Sequence, residues 1–310
     1  MRAVFASAID PDDPLSGLEV GERPEPTPPQ GWATVDVRAT SLNHHDLWSL
    51  RGVALDRERL PMILGTDCAG VDEDGNEVVV HAVISDDSWR GDETFDPRRS
   101  LLSERHQGTF AERVVVPRRN LVPKPPEISF EEAACLPTAW LTAYRMLFTR
   151  ASVAPGMTVL VQGASGGLSS ALVVLGSAAG VRVWVTGRSE DRRAEALALG
   201  ADQAFEPDAR LPERVDAVME AVGEATWSHS IRSLKPGGKI IVAGATTGDA
   251  PQAQLRRMFF LQLSVIGSTM GTRDELERLI QLWVDKDIRP AIDKKLPLDE
   301  ARQGFEAMLA

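Results

Sequence analysis

Two hydrophobic periodicities follow one another along the chain. Over roughly the first 120 residues, apolar and polar positions alternate in short runs such as WATVDVRA (32–39), EVVVHAVI (77–84) and AERVVVP (111–117), the period of strands that bury one face. Proline and glycine clusters separate the runs, and GERPEPTPPQG (21–31) reads as a loop between strands, too short for an independent linker. Beyond this half the pattern changes. In ISFEEAACLPTAWLTAYRML (128–147), Ser129 is placed to cap a helix, with Glu132 three residues on completing a capping box. Six short apolar runs then alternate with helical stretches: TVLVQG (158–163), RVWVTG (182–187), QAFE (203–206), DAVMEAVG (216–223), KIIVAG (239–244) and LSVIGS (263–268). This alternation predicts a doubly wound parallel sheet covered on both faces, so the fold class is α/β with a mainly β first half. A helix over 272–286 and an amphipathic tail over 299–309, with Phe305, Met308 and Leu309 on its apolar face, come last.

A length of 310 residues is about two domains' worth, and 43% hydrophobic with 25% charged residues describes an ordinary soluble globular chain. The net charge of −11 repels nucleic acid and anionic membrane, and no basic tract offsets it. No apolar run reaches 18 residues and residues 1–20 lack signal-peptide order, so a cytoplasmic protein is expected. Two cysteines, Cys68 and Cys135, fit a reducing compartment. The stretch ATSLNHHDLW (39–48) sets His44, His45 and Asp46 side by side. Adjacent side chains diverge, and His81, His106 and His229 add no i, i+3 or i, i+4 pair. One solvated and one hydrogen-bonded histidine is therefore expected here, rather than a shared metal ion.

VLVQGASGGLSSALVVLGSAAG (159–180) places a buried strand, a glycine turn and an apolar helix in immediate succession. Gly163 allows the tight turn, Ser165 continues the loop, and Gly166 and Gly167 let backbone amides approach a pyrophosphate. The helix from Leu168 aims its N-terminal dipole at that anion. Ser169 stands where close helix–strand packing usually wants a third glycine. An NAD site normally ends its second strand with an acid that reads the ribose hydroxyls. VTGRSEDRR (185–193) has Thr186 and Gly187 there, followed by Arg188, Ser189 and Arg192, which suit a 2′-phosphate. NADPH is expected over NADH. The alternative is that these arginines only solvate the first turn of the next helix, with Glu190 and Asp191 as its N-terminal acids. Ala243, Gly244, Ser268 and Thr269 follow the fifth and sixth strands at the carboxyl edge, where they are expected to face the nicotinamide.

Taken together, MRAVFASA, ATSLNHHDLW, PMILGTDCAGV, GTFAERVVVP, ISFEEAACLPTAWLTAYRML, VLVQGASGGLSS, LKPGGKIIVAGATTG and IGSTMGTRDELERLI resemble the medium-chain dehydrogenase/reductase superfamily, end to end. The likeness is to its zinc-free branch of quinone oxidoreductases and enoyl reductases. The resemblance implies a GroES-like catalytic domain over 1–120, a Rossmann NADP-binding domain over 121–268, and a return to the catalytic domain over 269–310. It also implies an active-site cleft at the domain junction and a homodimer joined through Rossmann edge strands. The positions matching catalytic zinc ligands are Asn43, Thr66 and Thr138, none a good ligand; Thr138 is also counted among the cofactor contacts. The structural zinc lobe is replaced by 83–107, which contains no cysteine. Both zinc sites are expected to be absent. Family members usually continue past the last helix with a short turn and a final strand, so a somewhat longer gene product is expected.

Without a metal, conjugated acceptors are the natural substrates, because hydride lands on a remote atom and the charge is delocalised to an oxygen that hydrogen-bond donors stabilise. Asn43 is the candidate donor to that oxygen or to the nicotinamide ribose, and His45 the candidate proton source. Trp48 and Trp140 either line an apolar substrate pocket or pack in the core. The expected activity is NADPH-dependent reduction of a quinone or α,β-unsaturated carbonyl compound. The alternatives are an enoyl-thioester reductase, with Arg98, Arg99, Arg105, Arg118 and Arg119 as a basic mouth, and a catalytically idle NADPH-binding sensor or scaffold.

Overall fold

The computed structural model describes residues 1–309 and forms two compact units, one of Met1–Thr138 with the segment from Met270 onward, the other of Ala139–Thr269. In the first unit, β1 (Arg2–Ala6) lies between β2 (Leu18–Glu22) and the short β4 (Met62–Ile63). A five-stranded sheet orders β10 (Leu121–Pro123), β6 (Glu77–Val80), β5 (Ala69–Asp72), β3 (Trp32–Ala39) and β9 (Arg113–Pro117), every neighbour antiparallel. The alternation in β3 does what period two requires: Ala33 and Val35 are buried while Asp36 faces solvent. The run at 77–84 is not one strand. It breaks at His81 and Ala82, and Val83–Ile84 (β7) instead pairs with Ser100–Leu101 (β8) within the 83–107 segment.

One helix of this unit, α1 (His44–Leu50), follows β3 and buries Leu47 and Leu50. Another, α2 (Phe130–Ala133), begins in the expected capping box, with the Ser129 N–H donating to Glu132 at 2.8 Å and the Glu132 N–H to the Ser129 hydroxyl at 3.3 Å. It packs on β3 and β5. The stretch from 121 to 138, grouped with the cofactor domain by the change in periodicity, thus packs within the first unit. Its strand β10 extends the antiparallel sheet, and its helix covers that sheet, contacts that a change of period cannot reveal.

The second unit opens with α3 (Leu141–Tyr144) and is built on six parallel strands: β11 (Thr158–Gln162), β12 (Arg182–Thr186), β13 (Gln203–Phe205), β14 (Val215–Glu220), β15 (Leu234–Val242) and β16 (Ser264–Gly267). Their spatial order is β13-β12-β11-β14-β15-β16, so the winding reverses between β11 and β14, the place where such sheets bind ligands. Helices α4 (Gly167–Ala178), α5 (Glu190–Ala198), α6 (Glu224–Ser233) and α7 (Leu255–Leu261) connect the strands. Ser169 is buried without difficulty, because a tight approach of α4 to the sheet is made one helical stretch later: a Cβ on Gly176 would fall 2.6 Å from Val183.

Two further helices, α8 (Arg273–Lys286), capped by Thr272, and α9 (Ala301–Leu309), return the chain to the first unit. Phe305 of α9 is fully buried in the core of Val4, Leu18, Leu47, Leu50 and Phe110, edge-on to the Phe110 ring at 6.1 Å. Met308 packs on that cluster and Leu309 is exposed, so the predicted apolar face is confirmed at two of its three positions. Among the described residues no helix is long and apolar enough to cross a membrane.

Candidate functional site

A buried carboxylate organises the first unit's polar centre. Asp67 sits just before β5, wholly buried, and accepts hydrogen bonds from the Ser41 hydroxyl at 2.6 Å, the Asn43 side-chain amide at 2.8 Å and the Thr138 hydroxyl at 2.6 Å. Thr66 and Thr138 hydroxyl oxygens are 2.9 Å apart; with the Thr138 hydrogen committed to Asp67, Thr66 is the donor of that pair. Asn43 points its remaining amide hydrogen at the Ser41 carbonyl, 3.4 Å away. Both of its hydrogens are therefore directed at partners within the protein, where the sequence suggests a donor for a substrate oxygen or a ribose.

Asp46, also wholly buried, receives the Asn43 N–H at 2.8 Å and the Gly65 N–H at 3.1 Å, and so fastens the start of α1 to the PMILGTD turn. Burial pushes the Asp46 carboxyl up to about 6, against the opposing pull of His45 and the two backbone donors. Asp67 is likewise lifted by burial to about 6, with Ser41, Thr138 and Asn43 acting in the other direction. The two histidines part as the sequence indicated: His44 is exposed, while His45 is largely buried and places Nε2 3.2 Å from Glu104. Its Nδ1 is buried with no hydrogen-bond partner among the described residues. Burial disfavours the His45 cation, but the Glu104 hydrogen bond and the charges of Asp46, Glu104 and Asp67 outweigh it and raise its pKa. Glu104 comes from the 83–107 segment. No local motif announces it, because the contact spans 59 positions.

The second unit carries the glycine loop. Gly163 and Gly166 have φ of +87° and +94°, and a Cβ at Gly166 would meet nothing within 4 Å, so the loop is an open cradle at the start of α4. Ser165, Gly166 and Gly167 are exposed and Leu168 half-buried, leaving the first amides of a 12-residue helix free for an anion. The Ser268 hydroxyl is buried with no partner among the described residues, and Ala243, Gly244 and Thr269 lie with it at the carboxyl ends of β15 and β16. These groups fit a dinucleotide. At the end of β12, Arg188 is exposed and its guanidinium has no partner among the described residues. Ser189 accepts the Arg192 N–H as the cap of α5, which leaves its hydroxyl hydrogen available. Arg192 is paired with Glu195 at 2.9 Å, and Arg193 holds the Gly187 carbonyl at 2.7 Å. Of the three residues expected to read a 2′-phosphate, Arg188 is thus the uncommitted cation.

The five arginines considered as a basic mouth are mostly neutralised. Arg98 pairs with Asp86, Arg118 with Glu73 and Asp74, and Arg119 with Asp87, while Arg99 and Arg105 reach backbone carbonyls. Trp140 is buried and Trp48 half-buried.

Comparison with known proteins agrees with this architecture. Residues 29–126 match the alcohol dehydrogenase GroES-like domain, and residues 167–285 match the zinc-binding dehydrogenase model. The acryloyl-coenzyme A reductase of Metallosphaera sedula is 30% identical over 312 residues, covering 94% of this chain and 93% of the relative. The quinone oxidoreductase of Mus musculus is 26% identical, covering 92% and 87%. Among solved structures, an NAD-dependent alcohol dehydrogenase is 33% identical with a TM-score of 0.91, covering all of this chain and 96% of the other. The chain belongs to the medium-chain dehydrogenase/reductase superfamily, oxidoreductases that use a nicotinamide cofactor. The zinc named in the second family description does not suit the donors found here. Asn43, Thr66 and Thr138 offer an amide and two hydroxyls, and the Asp67 carboxylate is closed by three donors. Among the described residues no three His, Cys, Asp or Glu side chains are grouped to hold a metal.

The raised carboxyls have a measurable consequence. With Asp46 at 3.8 in the unfolded chain and about 6 in the fold, the folded protein takes up a proton between those values. The stabilisation by the protonated form is complete below the lower value and is lost as pH rises through the upper one. From about pH 4 to about pH 7 the unfolding free energy of the wild type is expected to fall relative to Asp46→Asn by on the order of 1–3 kcal/mol. Denaturant titrations at several pH values check this, and a pH-independent difference would show that Asp46 does not titrate there.

Proposed function

We propose that the protein is an NADPH-dependent, zinc-independent reductase of conjugated acceptors, a quinone or an α,β-unsaturated carbonyl compound. The observation that carries this reading is the closed Asp67 cluster, a set of hydroxyls and an amide drawn onto one carboxylate at the positions that resemble catalytic zinc ligands. A site without a Lewis acid suits substrates whose developing charge is already delocalised. When bound, the reduced nicotinamide supplies the hydride. His45 supplies the proton. Its Nε2 is directed to Glu104, so Nδ1, buried and without a partner among the described residues, is the ring nitrogen left to give a proton, and the raised pKa keeps the ring charged to higher pH than an ordinary histidine. Asn43 positions α1 and Asp67 rather than touching the acceptor.

Arg188 supports the choice of NADPH, since a free guanidinium at the end of β12 forms bidentate contacts with a 2′-phosphate that a ribose hydroxyl does not offer. The similarity to an acryloyl-coenzyme A reductase favours an enoyl thioester as the second reading; the pairing of Arg98, Arg118 and Arg119 with acids weighs against it. Self-association through the exposed edge strand β16 is the third element of the proposal. Val265 on that strand and Leu255, Phe259 and Phe260 on α7 leave an apolar strip that a partner copy would cover. A monomeric mass by light scattering would count against it.

Steady NADPH oxidation across a panel of quinones, enones and enoyl thioesters tests the function. Turnover of conjugated carbonyls or quinones ahead of thioesters is expected. Preference for thioesters promotes the second reading, and no turnover with any of them leaves a cofactor-binding protein without catalysis. In the same assay Arg188→Ala should cut the preference for NADPH over NADH by about 10- to 100-fold, the equivalent of ~1.5–3 kcal/mol for a charge-assisted contact. An unchanged ratio removes Arg188 from cofactor selection.

The His45 assignment predicts a rate that falls as pH rises through its raised pKa. Glu104→Gln removes the partner that raises it and should move that descending limb to lower pH. A limb that stays in place in Glu104→Gln would contradict the assignment.

A further inference from the structure

The carboxyl ends of β11 and β14, where the strand order reverses, are joined by a buried polar chain with a single direction. Glu220, the last residue of β14, is wholly buried. Its Oε1 accepts the N–H groups of Val222 at 2.9 Å and Gly223 at 3.0 Å and the Thr226 hydroxyl at 2.8 Å. Its Oε2 accepts the Ser230 hydroxyl at 2.6 Å. Ser230 in turn accepts from Nε2 of Gln162, the last residue of β11, at 2.9 Å. The other Gln162 amide hydrogen points to His229 Nδ1 at 3.0 Å. Because His229 Nε2 lies 2.9 Å from the Ala209 carbonyl, which can only accept, Nε2 carries the hydrogen and Nδ1 is the acceptor.

That fixes which way the Gln162 amide faces. Its oxygen lies on the opposite side and accepts the Thr186 hydroxyl at 2.6 Å. With its hydrogen spent, Thr186 is left as an acceptor, and the Gly163 N–H donates to it at 3.3 Å. Reversing any one link would leave a buried donor or acceptor unmet. The same carboxylate holds the turn at 221–223 against the next loop. Thr247 N–H donates to the Val222 carbonyl at 2.8 Å, and a Cβ on Gly223 would come within 2.4 Å of the Gly248 carbonyl oxygen.

We propose that Glu220 is a positioning residue for dinucleotide binding. Through Ser230, Gln162 and Thr186 it sets Gly163 in the conformation that opens the phosphate cradle, and through Val222 and Gly223 it holds the 245–248 loop. The proposal rests on reading that cradle as the pyrophosphate site. The chain ends at a part of the site that NADPH and NADH share. It therefore governs affinity for both, while Arg188 governs the choice between them.

Ser230→Ala cuts the chain in the middle and Thr186→Val cuts it beside the loop. Dissociation constants for NADPH and NADH, thermal midpoints, and hydrogen exchange of the Gly163 segment without cofactor are measured on the full chain. Each variant is expected to weaken both nucleotides by a common factor of about 5–10, leaving their ratio unchanged. The double variant should be little worse than the worse single one, because both cut the same chain. In Ser230→Ala the Gly163 segment should exchange faster than in the wild type. Unchanged affinities with unchanged exchange overturn the proposal, as does a double variant whose losses multiply, which would indicate two independent structural defects. A wild type that binds neither nucleotide overturns the cofactor reading and this role with it, an outcome separable by the exchange data, which need no cofactor.

Discussion

A carboxylate removed from water must be met by donors, and at Asp67 that constraint shapes the first unit's centre. The group is too deeply buried to be solvated, so a hydroxyl from the end of β3, an amide from the N-terminus of α1 and a hydroxyl from the segment after α2 converge on it. Three stretches of chain, at 41–43, at 67 and at 138, are thereby fixed in one place. Asp46 performs the same service one step away, tying α1 to the turn that carries Thr66 and Asp67. Burial makes both carboxyls resist ionisation, which couples the polar centre to pH; once charged, they join Glu104 in favouring the His45 cation.

The second unit divides its work differently. The loop that follows β11 supplies backbone amides and a helix N-terminus, features that any bound pyrophosphate uses, whereas in the proposed function discrimination between the cofactors is assigned to one exposed guanidinium after β12. The polar chain beneath them lies at the point where the strand order reverses. Strand order creates the crevice; buried side chains hold its rim.

Much of this was legible in the sequence because it is local. Period-two runs, the Ser129 capping box, the six βα units and the glycine loop each depend on neighbours a few residues apart, and each appears in the fold close to where the pattern put it. The break of the 77–84 run was not legible, since both halves are apolar and only the pairing of β7 with β8 separates them. The site was read in part. Asn43 and His45 lie in the polar centre, but Asp67, which organises it, looked like an ordinary residue after a glycine turn. Its partners lie 24 to 71 positions away. Glu104 was hidden for the same reason. A sequence does not show where an amide's hydrogens are directed, so the two partners of the Asn43 amide are not legible in it. Glu220 and Gln162 read as the polar ends of apolar strands, and only the register between β11 and β14 reveals that one is linked to the other.

The proposed function takes the hydroxyls and amide drawn onto Asp67 to replace a catalytic zinc site. Metal content measured together with turnover tests it most directly. After mild chelation and dialysis, the purified protein is expected to hold well under about 0.1 zinc per chain and to retain full NADPH-dependent turnover of its best conjugated acceptor. About one zinc per chain, with turnover lost on its removal and restored on its return, would contradict the account.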